Sequence, residues 1–177
     1  MRILVRLIGL AVLLGIVALG AAIAYAKVTG LRSHGAPGEL ETRVARAIRS
    51  AAVPRDDRSR VNPLAESSEA RSEGLQHFAR YCAMCHGNNG TGQKTAIGNG
   101  LFPKPPDLRS ETTQQLTDGE LFYIIENGVR FTGMPAFGTG VRSEAGDRQT
   151  WQLVTFIRRL PSITADEIGW MESLNPL

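Results

Sequence analysis

Cysteine is nearly absent from this chain: two in 177 residues. Two thiols make one bridge at most, which excludes a disulfide-dense secreted scaffold. No segment shows a sustained alternation of apolar and polar residues, so no strand is expected. Acid is missing from the first 26 residues, which hold two Arg and 21 apolar residues. Basic excess is missing from the C-terminal part, where residues 68–177 hold ten basic and twelve acidic side chains, net −2. This excludes a nucleic-acid binder whose basicity lies in its folded domain. Apolar side chains are also scarce there, 40 of 110 residues. A domain of that size with so little apolar matter is short of core, and something other than side chains is expected to fill it. There is no phosphate-cradling glycine loop and no base–nucleophile pair with a motif around it.

What is present divides into three segments, 1–26, 27–67 and 68–177. Ile8 to Ala26 is an unbroken run of 19 residues without charge or side-chain amide. At 1.5 Å per residue it spans roughly 28 Å, close to the hydrocarbon thickness of a bilayer. Arg2 and Arg6 precede it, which predicts an N-terminus in the cytoplasm and the rest of the chain on the other side. A cleaved signal peptide is the competing reading, since Ala24-Tyr25-Ala26 fits a small-x-small site; the apolar run exceeds the usual length of such a segment and favours an anchor. Residues 27–67 carry eight basic and five acidic side chains and are punctuated by glycine and proline. They read as a polar, solvated tether. Within it Leu40, Val44, Ala47, Ile48 and Ala51 fall at helical spacing, which predicts one short helix over Glu39 to Ala52. The basic excess of the tether also suits anionic headgroups.

The third segment opens with a predicted helix from Ser68 to Arg80 that runs into Cys82-Ala83-Met84-Cys85-His86. C-x-x-C-H is the attachment signature of c-type haem. Two thiols three residues apart lie near one side of a helical turn and can reach the two vinyl groups on one porphyrin edge. The next residue then offers its imidazole to the iron. A thioredoxin-like motif is expected to open a helix after a strand, and here it follows a helix. A zinc site needs further ligands, and only His34 and His77 are left as histidines. A disulfide across three residues is tight.

For the second axial position the candidates are Met84, Met134, Met171, His34 and His77. Met84 lies inside the attachment turn and cannot cross the ring. His77 lies upstream on the same helix, and Met171 on a late helix where it would fill core. Met134 sits in the irregular stretch Gly128 to Gly138, and Pro135 biases it away from helix. Met134 is therefore the expected ligand, in the Met/His pattern that raises a haem's reduction potential.

From about Gly74 to Leu160 the sequence resembles class I c-type cytochromes, especially membrane-anchored monohaem proteins similar to small cytochrome subunits of bacterial respiratory complexes. The motifs C-A-M-C-H-G and T-G-M-P-A-F carry the resemblance. It implies an all-α fold with three main helices around one covalent haem c, preceded here by the N-terminal transmembrane helix. It also implies a crossing of the first and last helices of the domain, with Gly74 and Phe78 on one and Phe156 on the other. A proline carbonyl that accepts from the Nδ1–H of His86 is implied too. Pro106 is the match, with Pro103 and Pro105 as alternatives.

The remaining elements are legible without the resemblance. Thr117-Asp-Gly-Glu120 is a capping box that opens a helix with Leu121, Ile124 and Ile125 buried, ended by Gly128. Arg148 to Leu160 forms another helix, stopped by Pro161. Thr164-Ala-Asp-Glu167 caps a last helix through Leu174. The loop Gly87 to Gly100 is expected to wrap a haem edge. These readings converge on a single-haem electron carrier held at the cytoplasmic membrane, with its haem domain in the periplasm, redox proteins as partners and no small-molecule substrate. A fixed haem subunit of a larger oxidase or dehydrogenase is the alternative, and a haem sensor or peroxidase with a labile Met134 is a third reading.

Overall fold

The computed structural model describes residues 2–30, 33, 35–92, 95–138, 140 and 144–175. The chain forms two compact units, Met1–Ser33 and His34–Leu177. The first is a single helix, α1 (Arg2–Thr29). Its stretch Arg2–Val28 is long and apolar enough to cross a membrane, and none of it is buried within the protein.

Among the described residues the second unit is built of helices and loops, without a strand. Helix α2 (Glu39–Ala52) follows the predicted bounds, with the Glu41 carboxylate accepting from the Gly38 N–H. A one-turn helix α3 (Arg55–Arg58) comes next. Helix α4 (Ser68–His77) starts at Ser67, whose side chain accepts from Ala70 N–H. As expected it runs into the Cys82–His86 motif, but not as one regular helix. It widens into a π-helical turn over Phe78–Cys82 and tightens again as α5 (Ala83–His86). Two short helices, α6 (Ala96–Gly100) and α7 (Glu111–Gln114), have no periodic signal in the sequence. Both capping boxes are formed: Thr117 opens α8 (Asp118–Asn127) and Thr164 opens α10 (Ala165–Leu174). Between them, α9 (Glu144–Arg159) starts four residues before the expected Arg148, and Leu160 passes into a 3-10 turn.

The core forms where α4 crosses α9. Gly74 lets the two backbones meet: a Cβ there would lie 2.0 Å from the Gln152 carbonyl oxygen and 3.0 Å from Phe156 Cβ. One turn on, Phe78 packs on Phe156 with ring centroids 5.2 Å apart, and both side chains are fully buried. Helix α8 closes the other side, Phe122 packing tilted on Trp151 with ring centroids 4.3 Å apart. Met171 of α10 is fully buried in the same cluster.

Part of the segment expected to be a solvated tether is docked on the helices, although many of its side chains are exposed. The Arg60 guanidinium lies 3.9 Å above the Phe122 ring and 5.0 Å from that of Trp151, and it donates to Asp147 at 2.9 Å. Asn62 is buried, its amide donating to the Trp151 carbonyl and to Thr155 Oγ1. Thr117 Oγ1 donates to the Arg58 carbonyl at 2.8 Å. Polar composition marks a solvated segment only when its hydrogen bonds go to water; here they go to helix carbonyls and hydroxyls, and Arg60 covers two aromatic rings with its flat cation.

Two predictions follow from these contacts. Helix propensity alone gives Gly74→Ala a gain of about 1 kcal/mol. Because the clashing atoms are backbone, the sign should reverse to a loss of roughly 1–3 kcal/mol in denaturant unfolding of the haem-loaded protein. Asn62→Ala should cost about 1–3 kcal/mol in the same assay, whereas a solvated position would be neutral.

Candidate functional site

The motif Cys82 to His86 is the last helical stretch before the chain turns at Gly87. Both cysteines are unbridged. Burial, with the neighbouring Cys85, pushes the Cys82 thiol up to about 12, and burial also raises Cys85. Both are therefore neutral thiols at pH 7. A redox-active dithiol needs the opposite, a thiol shifted down toward thiolate. Among the described residues no cluster of three or more His, Cys, Asp and Glu could hold a metal ion by itself.

Behind the thiols, the His86 ring lies 6.4 Å from that of Phe78. Burial lowers the proton affinity of His86, and the backbone carbonyl of Pro106 acts against that. The buried Nδ1 makes no hydrogen bond of good geometry, and the Pro106 carbonyl is the backbone acceptor that acts on the ring. The approach of Pro106 depends on the loop after the motif. Gly92, at φ +68°, donates its N–H to the His86 carbonyl at 2.8 Å. A Cβ on Gly92 would lie 2.3 Å from the Pro105 carbonyl oxygen and 3.0 Å from that of Pro106. Only a residue without a side chain at positive φ lets this strand of loop lie against the prolines. Of the three prolines, it is Pro106 whose carbonyl acts on the imidazole.

Met134 belongs to a loop sewn to the end of α8. Gly128 caps that helix at φ +66°, where a Cβ would strike the backbone of Met134 to Ala136. Val129 N–H donates to the Met134 carbonyl, and Phe137 N–H and Gly138 N–H donate to the carbonyls of Ile125 and Glu126. The Met134 side chain is half-buried and packs on the same apolar cluster as Cys82. A run of contacts joins the two loops. The Thr95 hydroxyl donates to the Cys85 carbonyl at 3.2 Å and accepts from Gly98 N–H, which caps α6. Leu101, at the end of α6, presses on Gly133, where a Cβ would meet its side chain at 2.4 Å. Thr95 and Leu101 carry no individual signal in the sequence, whereas Gly133 lies in the T-G-M-P-A-F motif. A lone threonine before Ala-Ile-Gly is a weak capping signal, and Leu101 belongs to no periodic run.

The other axial candidates are accounted for differently. Met84 is exposed. His77 stacks on Tyr81 at 6.4 Å, in a polar surface groove with Glu73, Gln76 and Arg148. Met171 is enclosed in the core. His34 lies outside the described residues.

The donor set suits a covalently held haem. Two neutral, unbridged thiols on one turn are followed at once by an imidazole whose buried Nδ1 stands beside a carbonyl, and an N–H there fixes the other nitrogen as a metal ligand.

Comparison with family models gives one match over residues 69–157, half of the chain, to the family described as cytochrome C oxidase, cbb3-type, subunit III. Comparison with curated proteins gives no match.

Proposed function

We propose, because this chain belongs to the cbb3-type cytochrome c oxidase subunit III family, a c-type cytochrome domain with a haem-based electron-transfer role, that it is a membrane-anchored carrier of one electron at a time. Its domains on this reading are an anchor (1–26), a connecting segment (27–67) and a haem domain (68–177) facing the periplasm, with Arg2 and Arg6 on the cytoplasmic side.

The observation that carries the reading is the Cys82–His86 turn, with its unbridged neutral thiols and the buried Nδ1 beside Pro106. Cys82 and Cys85 would hold haem c through thioethers formed by adding each S–H across a vinyl group. His86 and Met134 would ligate its iron. When bound, the haem supplies a one-electron iron couple. Pro106 would keep the His86 proton on Nδ1 and leave Nε2 free as the ligand. Met134 would raise the potential relative to a second imidazole and occupy the position a peroxide or gas would need. This supports an electron carrier over a catalyst. Partners would be redox proteins, steered by charge to the domain, whose net charge is −2 before haem propionates are counted.

A second reading, a fixed haem subunit of an oxidase, is favoured by the family description itself, which names a subunit of an oxidase. The docking of Arg60 and Asn62 also shortens the free connecting segment and so the reach of a shuttle.

Two experiments test these statements. Met134→Ala should lower the reduction potential and allow carbon monoxide to bind the reduced protein, while the wild type binds it slowly or not at all. An unchanged potential and spectrum would show that Met134 is not the ligand. Rapid, full carbon monoxide binding to the wild type would point instead to the sensor or peroxidase class. Purification in mild detergent separates carrier from subunit: stoichiometric co-purification with larger subunits would exclude the free carrier.

A further inference from the structure

Helix α2 is amphipathic, and it is oriented the wrong way round for a soluble surface helix. Leu40, Val44, Ala47, Ile48 and Ala51 form one stripe along it. A surface helix of a soluble protein turns such a stripe to the core. Here no residue of α2 is buried, and Leu40, Val44 and Ile48 are 75%, 48% and 63% exposed. Its contacts with the rest of the domain come from the polar side of its last turn. Thr42, Arg49 and Ser50 are half-buried. The Ser50 carbonyl accepts from the Arg58 side chain, and Arg58 pairs with the buried Glu120 at 3.3 Å. Arg49 lies within the field of the same carboxylate. The apolar stripe is thereby held outward.

What covers it follows from the chain on either side. Residues 30–38 are all that separate Thr29, the end of α1, from Glu39. Nine residues span about 30 Å at full extension, so a membrane-embedded α1 keeps α2 close to the bilayer. Arg43, paired with Glu39, is exposed at the edge of the stripe, and Arg46 is exposed on the polar side. Long cationic side chains at these positions let a helix sink its apolar side among acyl chains and keep their charge among headgroup phosphates.

We propose that α2 lies in the membrane surface, with Leu40, Val44 and Ile48 inserted into the lipid interface, and holds the domain against the bilayer by its Arg58–Glu120 side. This rests on the reading of α1 as a membrane anchor. The test uses the full-length, haem-loaded protein in vesicles of phosphatidylcholine and phosphatidylglycerol. Single nitroxide labels are attached at Leu13→Cys, Val44→Cys, Ile48→Cys and Arg46→Cys, with unsubstituted protein as the labelling background. Collision of each label with dissolved oxygen and with a water-soluble nickel chelate is then measured. The ratio of oxygen to nickel accessibility should be several-fold higher at 44 and 48 than at 46. Label 13 in lipid with 44 and 48 in water would overturn this proposal and leave the anchor intact. Label 13 in water would overturn the anchor reading. Labels 44 and 48 shielded from both agents would mean that protein covers the stripe, and would overturn the lipid assignment.

Discussion

At Gly74 two helix backbones touch, and most of the domain depends on that contact. With no side chain between them, α4 lies directly on the Gln152 carbonyl of α9. This sets Phe78 on Phe156, and Phe78 in turn backs the ring of His86. The same crossing presents the far side of α9 to α8, where Trp151 meets Phe122. A larger residue at 74 would therefore disturb the attachment turn through Phe78, although Gly74 is two helical turns or more from either cysteine.

The site is built from loops whose geometry is enforced by backbone contacts. Gly92 brings the Pro105–Pro106 segment under His86, and Gly128 folds the Met134 loop back over the end of α8. Leu101 and Thr95 lie between the two, one against Gly133 and the other on the Cys85 carbonyl. Loops with so many backbone hydrogen bonds to helix ends lose little further entropy on taking up a flat ring, which is what preorganisation means physically.

The helices and the motif were legible because their signals are local. Capping boxes at Thr117 and Thr164 satisfy N–H groups within three residues, and both form as read. C-x-x-C-H is a spacing within one turn. The Gly74, Phe78 and Phe156 crossing was legible only through resemblance, because no local rule pairs residues some eighty positions apart. Three things were hidden. The short helices α6 and α7 are less than two turns long and carry no period. The early start of α9 at Glu144 follows residues outside the described set, and its first turn is polar. The docking of residues 53–62 was hidden because Arg60 and Asn62 are polar, and composition alone assigns polar residues to water. Their partners are aromatic faces and helix carbonyls that only the tertiary fold supplies.

That docked stretch has a mechanical meaning. A pull on the chain from its N-terminal side does not reach α4 and the attachment turn first. It is taken up where Arg60 is wedged between Asp147 and the rings of Phe122 and Trp151, and where Asn62 is pinned to the Trp151 carbonyl and Thr155. The load passes into α8 and α9, and it acts on several bonds together. Ser67 and the start of α4 lie downstream of this clamp, so jostling of the leading segment is damped before it can change the distance between the His86 turn and the Met134 loop.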